Sequence, residues 1–253
     1  MPFQAKFGRL FDVHVAFRPK GPDELFERIV AVVPPERRHR AMDLAVGWGD
    51  SIKSLLSHFQ ELIAVEPDPL VADQLRLNHP RGILQITSVE QCTQEAASVD
   101  LVTVAAPLYG ADLAQVMDNV LRWLGPAGIL AIWARGIPRT PTAVTSITAE
   151  EFADRWNRFR DPRLDPAESP DHARRAAKRF TILEERLVPH ILWLSPHEFV
   201  GFWRTTSYAS AYARELAVPD AYWRDLESRY SLAWPRTKIP VDFSPWLLLA
   251  RKE

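Results

Sequence analysis

Residues 41–134 alternate between short apolar runs and amphipathic segments, a pattern that few folds accommodate. Apolar runs typical of buried strands occur at 41–46, 61–68, 82–87, 99–106 and 127–134. Segments with helical spacing of apolar residues lie between them, at 50–59, 69–78 and 112–124. Alternation of this kind indicates βαβ units, and therefore a mainly parallel sheet with helices on both faces.

The regular alternation ends after residue 134. Before the alternating region, a helix that begins with Pro and acidic residues is predicted at 22–33. After residue 134, the sequence predicts exposed loops with one helix near 149–158, one or two strands in 179–195, two helical segments, and a closing strand in 241–253. We predict an α/β fold with a doubly wound, mainly parallel seven-stranded sheet. A helical lid is expected from the N-terminal segment and residues 135–210.

The composition limits the kinds of partner that we expect the protein to bind. The 253 residues carry a formal net charge of -1, which gives no electrostatic case for nucleic acid. No apolar run reaches the ~18 residues of a membrane span, and the N-terminus lacks the apolar core of a signal peptide. The single cysteine, Cys92, excludes a disulfide framework and a cysteine-rich metal site. We expect a cytoplasmic protein, without a metal, that binds neither nucleic acid nor membrane.

A glycine turn follows the first predicted strand. Gly47 and Gly49 flank Trp48 just before the next helix begins. In open parallel sheets, ligands bind beyond the carboxyl ends of the strands. Glycine lets a ligand approach the backbone closely, and the start of a helix offers free N–H groups. The turn is therefore a candidate binding site, although a plain tight turn would have the same sequence.

Glu66 ends the second predicted strand, about twenty residues beyond the turn. A carboxylate at that place can accept hydrogen bonds from the two hydroxyls of a ribose. Turn and acid together favour an adenosine-containing ligand, and their spacing leaves NAD and S-adenosylmethionine (SAM) both open. A third phosphate-loop glycine would favour NAD, and the sequence has no glycine between Gly49 and Gly82.

The runs "MDLAVGWGDS", "LIAVEPDPLVADQL", "ITSVEQ" and "SVDLVTVAAPLYGADLAQVMDNVLRWLGPAGILAIWA" resemble the class I SAM-dependent methyltransferases. More narrowly, they are similar to the small-molecule branch of trans-aconitate-methyltransferase-like proteins. The resemblance covers residues 7–134 and reappears at 201–212. It implies a Rossmann-like fold and SAM as the cofactor, and it leaves the substrate open.

The resemblance implies ten cofactor-binding positions. They are Asp43, Ala45, Gly47, Trp48, Gly49, Glu66, Pro67, Ser88, Val89 and Ala105. The two glycines would pass under the methionine part of SAM, and Glu66 would accept from the ribose hydroxyls. Ser88 and Val89 would meet the adenine edge. The implied division of the chain is a lid segment with the first helix in 1–40, the SAM-binding core in 41–134, and the lid insertion with the last strands of the same domain in 135–253.

The departures from the family pattern concern mainly the acceptor side. In "PLYGAD", Tyr109, Gly110 and Ala111 replace the usual His-Trp-Phe. Near the N-terminus Arg18 is kept, and His14 stands where the family has a tyrosine. We take Tyr109 and His14 as candidate catalytic residues. Trp48 would either cover the cofactor or pack against the N-terminal segment.

The candidate substrate-binding residues are Arg18, Gly110, Trp203 and Tyr208. An arginine could pair with a carboxylate of the substrate. Loss of two large rings predicts an acceptor bulkier than a short aliphatic acid, cyclic or aromatic, and poor methylation of trans-aconitate. The expected function is methyl transfer from SAM to such a small molecule, by a monomer or homodimer. The alternatives are a SAM-binding enzyme of cyclisation or rearrangement, a non-catalytic SAM-binding or partner-binding module and, last, an NAD-dependent oxidoreductase.

Overall fold

The computed structural model describes residues 11–47, 49–78, 82–105, 108, 111–162 and 170–253. Its strands are β1 Arg40–Leu44, β2 Glu61–Val65, β3 Ile83–Gln85, β4 Val99–Ala105, β5 Leu124–Ala134, β6 Thr181–Leu187, β7 Ile191–Leu194, β8 Ile239–Asp242 and β9 Trp246–Arg251. The α-helices of the described ranges are α1 Phe11–Phe17, α2 Asp23–Ala31, α3 Ile52–His58, α4 Pro69–Asn78, α5 Leu113–Trp123, α6 Thr142–Glu151, α7 Pro170–Ala176, α8 Pro196–Arg204, α9 Ser207–Glu215 and α10 Pro219–Ala233.

Seven strands form the central sheet, in the order β3-β2-β1-β4-β5-β9-β6. Strands β1 to β5 pair in parallel, and β9 runs antiparallel to both of its neighbours. The predicted α/β class, with its seven-stranded and mainly parallel sheet, is confirmed. Because β1 lies between β2 and β4, the carboxyl ends of these three strands share one edge of the sheet. This edge is where ligands bind in such folds.

Helices cover both faces of the sheet with aliphatic side chains. One apolar layer contains Leu25 and Ile29 of α2 and Leu55 of α3. The opposite layer contains Val116 and Val120 of α5, together with α7. These side chains recur at helical spacing and are almost fully buried, so they account for the amphipathic pattern of the sequence.

A second, aromatic core lies outside the sheet. We call it the aromatic cluster: Phe152, Trp156, Phe199, Phe202, Trp203, Tyr230, Trp234 and Phe243, with Tyr208, Tyr212 and Tyr222 at its border. It is built by α6, α8, α9 and α10 and by the antiparallel pair β7–β8. Helix α6 continues into a π-helical turn, Phe152–Trp156. This turn brings two large rings of the cluster onto one short segment.

Several predicted boundaries differ from the structure. Strand β5 begins at Leu124 and not at residue 127. Residues 125–128 interrupt its regular pairing with β4, because Leu124 pairs with Val99 and Ile129 pairs with Leu101. The helix expected near 149–158 begins at Thr142. The closing segment forms two strands, β8 and β9, because the Asp242 carboxylate accepts from the Ser244 N–H at 2.8 Å and turns the chain.

No helix in the described part of the chain combines the length and the apolar character needed to cross a bilayer.

Candidate functional site

The turn after β1 has an unusual backbone. Ala45, Gly47 and Gly49 all have positive φ, at 52°, 55° and 83°. Among the described residues, a Cβ at Gly47 would meet nothing nearer than the Ala45 carbonyl oxygen, at 3.9 Å, whereas a Cβ at Gly49 would lie 2.8 Å from Leu75 Cδ2. Gly47 therefore leaves space above the strand ends, and Gly49 lets α4 pack closely. Ala45 holds a conformation that is strained for a residue with a Cβ.

The side chain of Asp43 links the turn to β4 and to the start of α3. Its buried carboxylate accepts from the Ser51 hydroxyl, next to α3, and from Thr103 Oγ1 of β4 at 2.7 Å. Burial raises the pKa of Asp43 to about 6, and the two hydroxyl donors oppose that shift. These contacts join β1, β4 and the start of α3, so Asp43 positions the turn.

Glu66 lies at the end of β2 and is 6 % exposed. Its Oε2 accepts from the Gly47 N–H at 2.9 Å, and its Oε1 accepts from the Asp68 N–H, also at 2.9 Å. Burial raises the pKa of Glu66, these two hydrogen bonds oppose the shift, and the neighbouring Asp68 and Asp43 add to it. The second strand end is thus attached directly to the glycine turn.

One buried oxygen of Asp68 indicates a ligand-binding position. Its Oδ1 accepts from the Leu70 N–H at 3.0 Å near the start of α4. Its Oδ2 is buried and has no hydrogen-bond partner among the described residues. A buried carboxylate oxygen without a donor costs free energy, so this position favours a ligand that donates. The hydroxyl and amino groups of an adenosine are donors of that kind, and half-buried Pro67 lies between the two acids.

The other predicted cofactor positions lie at the same sheet edge or follow it. Ala105 is the last residue of β4. Ser88 and Val89 follow β3; Ser88 is half-buried and Val89 is buried. Trp48, Tyr109 and Gly110 lie outside the described residues.

A short segment, residues 18–21, is held by hydrogen bonds to three distant parts of the chain; we call it the strap. The Gly21 N–H donates to Asp50 Oδ2 at 3.2 Å, just after the glycine turn. Arg135 donates to the same oxygen at 3.1 Å and to the Pro19 carbonyl oxygen. Arg18 Nη1 donates to Thr205 Oγ1 at 3.2 Å. The strap is therefore joined to the turn, to the end of β5 and to the end of α8.

His14 is held under the strap on α1. It is 6 % exposed, and its pKa is lowered to about 3, first by burial and then by Arg18 and Arg135, against a hydrogen bond to the Thr205 backbone. Helix α1 lies close against α8, because a Cβ at Gly201 would overlap the Phe17 ring. His14 is consequently a neutral imidazole at pH 7 and a weak proton acceptor.

Trp203 and Tyr208 belong to the aromatic cluster. Trp203 is fully buried, with its ring centroid 4.8 Å from that of Trp156. Tyr208 is half-buried, 5.3 Å from the Phe152 centroid. Neighbouring rings enclose Trp203, so any influence on a ligand would be indirect, through the packing of the aromatic cluster, while Tyr208 lies nearer the surface.

Three residues of this region were not predicted from the sequence as site residues: Arg135, Asp50 and Thr103. Arg135 directly follows the last residue of β5, and its place at the carboxyl edge of a parallel strand was the signal that could have identified it. Thr103 carried no signal, since its partner Asp43 lies 60 residues away in sequence. In the described ranges, no group of three or more His, Cys, Asp or Glu side chains is arranged to hold a metal ion.

Comparison with known proteins agrees with this geometry. Residues 42–132 match the family described as "Methyltransferase domain". The chain is similar to an uncharacterised methyltransferase of Mycobacterium tuberculosis, with 25% identity over 203 residues, which are 80% of this chain and 76% of the relative. Among solved structures, a proposed type II methyltransferase from Anaeromyxobacter dehalogenans superposes with a TM-score of 0.74 at 24% identity, covering 94% of this chain and 98% of the other.

The fold is also shared with a protein described by a different reaction. The crystal structure of the 4+2 cyclase SpnF superposes with a TM-score of 0.53 at 15% identity, covering 99% of this chain and 96% of the cyclase. At these identities the structural matches concern the fold, and the family match is what bears on chemistry.

Proposed function

We propose that this chain, which contains a class I SAM-dependent methyltransferase domain, transfers the methyl group of SAM to a small-molecule acceptor. The observation that carries the proposal is the pair formed by the open Gly47 turn and the buried Glu66 carboxylate attached to it. SAM is the cofactor of this class. The narrower resemblance to trans-aconitate-methyltransferase-like proteins stays a prediction.

The cofactor would lie across the carboxyl ends of β1 and β2. Glu66 would accept from the ribose hydroxyls with the lone pairs that its two backbone donors leave open. Asp68 would offer its unpartnered Oδ2 to another donor of the adenosine. Pro67, Ser88 and Val89 would line the adenine, and the methionine part would run over Gly47 towards Ala105.

SAM supplies an electrophilic methyl group on a sulfonium. The chain's own task is to hold the acceptor atom in line with that methyl group, and such positioning provides much of the acceleration. A base is needed only when the acceptor must lose a proton. The low pKa of His14 argues against that use, so we assign His14 to the support of the strap and retain Tyr109 as the residue to test.

Binding and transfer assays test the proposal separately. We expect SAM and S-adenosylhomocysteine (SAH) to bind more tightly than NAD in calorimetric titrations; a preference for NAD would remove the proposal. Labelled methyl transfer should then be measured on a panel of acids, phenols and heterocycles. Tyr109→Phe should reduce turnover without changing SAH affinity if Tyr109, as a phenolate, accepts the proton that the acceptor loses.

We further propose that the acceptor is cyclic or aromatic, because Gly110 and Ala111 replace two large rings of the resembling family. Gly110→Trp should block transfer while leaving SAH affinity unchanged. Its matched control is Gly136→Trp, at a glycine whose added Cβ would meet nothing within 4 Å. Efficient methylation of trans-aconitate would contradict the enlarged pocket.

A non-methylating reaction is the second candidate, since the same fold occurs in a 4+2 cyclase. It would be favoured if SAM binds, no acceptor gains label, and a candidate precursor is consumed without a change in mass. We also propose a cytoplasmic location, a monomer or homodimer, and the division into 1–40, 41–134 and 135–253.

A further inference from the structure

We propose that two copies of this chain associate through β7, which pairs with β7 of the other copy in antiparallel fashion about a two-fold axis at Leu192. This inference goes beyond the proposed function and does not depend on it, because no residue of β7 belongs to the candidate site.

Strands β6 and β7 form one edge of the molecule. β6 pairs with β9 and β7 pairs with β8, and in the described ranges no strand lies on the other side of β6 or β7. The Val188 N–H donates to the Pro245 carbonyl oxygen at 2.9 Å, and the Phe243 N–H donates to the His190 carbonyl oxygen at 2.8 Å. These two hydrogen bonds continue the pairing from β6 into β7, so the free edge runs over residues 181–194.

The backbone of β7 faces β8 only at alternate residues. Hydrogen-bonded and non-hydrogen-bonded pairs alternate along an antiparallel ladder. Because the His190 carbonyl oxygen accepts from the Phe243 N–H, the backbone groups of Leu192 and Leu194 are also directed to β8. Those of Ile191 and Trp193 are directed to the free edge.

The residues opposite Ile191 and Trp193 on β8 agree with this alternation. Ile191 lies opposite Asp242, whose N–H and carbonyl oxygen are bonded to Arg139, away from β7, at 2.9 and 3.0 Å. Trp193 lies opposite Pro240, which has no N–H to donate. The N–H and carbonyl groups of Ile191 and Trp193 are therefore available to a strand that lies beside β7.

The side chains of the same two residues form an exposed apolar pair. Ile191 is 57% exposed and Trp193 is 56% exposed, whereas Leu192 and Leu194 pack against the aromatic cluster on the other face. None of the four residues of β7 is charged. An exposed apolar edge strand with outward backbone groups is a template for pairing with another strand.

The other edges of the sheets carry features that oppose such pairing. Strand β3 has only three residues, and β6 carries the successive charges Glu184, Glu185 and Arg186. A register shift between Ile182 and Glu184 also makes β6 irregular. Short length, charge and irregularity are the usual protections of an edge. β7 is short but uncharged and regular, and Pro189, which has no N–H, confines the pairing to it.

A second copy of β7 fits this edge because the strand is complementary to itself. A two-fold axis at Leu192 places Ile191 of each copy opposite Trp193 of the other, and each such pair can exchange two backbone hydrogen bonds. It also brings an aromatic and a β-branched side chain together twice, which is a favourable cross-strand pair. A charged strand would place like charges against each other in the same arrangement, and β7 has none.

The length of β7 sets the expected strength of the dimer. Pairing over four residues covers less than the roughly 1,600 Å² of a standard interface, so we expect a dissociation constant on the order of 10 μM. Sedimentation velocity of the full chain without ligand, from about 2 to about 200 μM, should therefore show a monomer that converts to a dimer.

Lysine substitutions locate the interface. Trp193→Lys and Ile191→Lys each add a charge to the edge and should weaken dimerisation at least tenfold. Both replaced side chains are exposed, so the variants should fold, as circular dichroism and Tm would show. The matched control is Ile182→Lys, at a 46% exposed apolar residue of β6, and it should leave the dissociation constant within twofold.

Cysteine cross-linking tests the register. In Cys92→Ser protein, which has no other cysteine, Leu192→Cys would face its own copy in a non-hydrogen-bonded pair, with Cα atoms about 4.5 Å apart, and should form a disulfide. Leu194→Cys is the control on the same face of β7. Its two copies would lie about 13 Å apart along the strands and should not cross-link. Oxidation followed by non-reducing electrophoresis measures both, and Tm under reducing conditions shows that each variant is folded.

The inference is overturned if the wild type stays monomeric at about 200 μM, or if a dimer forms as tightly in the folded Trp193→Lys and Ile191→Lys variants as in the wild type. Equal cross-linking of Leu192→Cys and Leu194→Cys would also overturn it, because the two-fold axis would then not lie at Leu192. Failure to bind SAH would concern the proposed function alone, since none of these measurements uses a ligand.

Discussion

The aromatic cluster and the cofactor region both bury carboxylates, and they treat them differently. Glu151 beside the cluster is fully buried and accepts from Arg155 Nη1 at 3.0 Å, from Arg229 and from the Tyr222 hydroxyl at 2.6 Å. At the ends of β1 and β2, Asp43, Glu66 and Asp68 are equally buried. None of the ion pairs found in the described ranges involves these three acids.

This difference separates a carboxylate that the protein pairs with cations from carboxylates whose donors, in the described ranges, are hydroxyl and N–H groups. A buried carboxylate surrounded by cations is satisfied by the protein itself, and it adds nothing a ligand could use. A buried carboxylate with only hydroxyl and N–H donors retains its charge and part of its accepting capacity. Burial without a cation raises the pKa values of Asp43 and Glu66, which is a common property of functional sites.

The largest loss of stability is expected at Glu151, whose carboxylate is paired with two arginines of the protein. Glu151→Ala leaves Arg155 and Arg229 without their shared partner and should cost about 3–5 kcal/mol in free energy of unfolding, measured with urea. Glu150→Ala is the matched control, since Glu150 pairs with Arg229 from the surface and should cost less than about 1 kcal/mol. Equal effects in the two variants would contradict the comparison.

The pH dependence of stability should reveal the buried carboxylate of Asp43, which takes part in no ion pair in the described ranges. The pKa of Asp43 is about 6 in the folded protein, above its ordinary value of 3.8, so the folded chain binds more protons than the unfolded chain between these pH values. Stability from this group is present below pH 4 and is lost as the pH rises through 6, by up to about 3 kcal/mol. Asp43→Asn lacks this loss. Urea titrations of both proteins between pH 4 and 7.5 should therefore diverge, and a constant difference would refute the assignment.

Glu66 should matter for the ligand more than for the fold. Glu66→Ala removes an ionised acceptor and should weaken SAH binding by roughly 1.5–3 kcal/mol in calorimetry. Glu66→Gln should fall between, because an amide nitrogen would face the Gly47 or Asp68 N–H. Glu61→Ala, on the same strand but paired with Arg40 at the surface, serves as the control and should leave affinity unchanged. Unchanged affinity in Glu66→Ala would reduce Glu66 to a turn residue.

Substitutions at the two glycines of the turn should have different effects, one mainly on stability and the other mainly on SAH affinity. Alanine at either position must adopt a positive φ, which costs about 1–2 kcal/mol. Gly49→Ala adds an overlap with Leu75 and should lose the greater stability. The added methyl group of Gly47→Ala contacts no described residue within 3.9 Å, and it should instead reduce SAH affinity. Thermal unfolding and calorimetry of both variants test this, and a reversed order would argue against a ligand over Gly47.

The smallest effect is expected at a buried group without charge. Cys92 is 2% exposed, although its sequence neighbours are polar, and its Sγ donates to Gln85 Oε1 at 3.1 Å. Cys92→Ser keeps a donor at that place and should change stability by less than about 1 kcal/mol, with no change in turnover. A large loss of turnover in a folded variant would give Cys92 a role in catalysis that we do not assign to it.

The sequence predicted the sheet well because strands and helices carry local periodicity. It placed Gly47, Gly49 and Glu66 at one edge for the same reason, since strand ends can be read from a run of apolar residues. It could not predict the aromatic cluster, where Glu151 meets Tyr222 and Arg229 from 71 and 78 residues away. Such pairs leave no periodic trace, and neither does the meeting of Arg135 with the strap.

The contacts of the strap indicate the order in which parts of the chain fold. Its attachments to Asp50, Arg135 and Thr205 span 29, 116 and 187 residues of sequence. Contacts over such distances close large loops, so the strap docks only after the parts that receive it have folded. Each of these three attachments involves a side chain, whereas ladders of backbone hydrogen bonds hold the sheet, so we expect the strap to open locally before the sheet unfolds. Exchange of ligands would then proceed through local opening of the N-terminal segment, and the residence time of a bound product would be set by how tightly residues 18–21 are held.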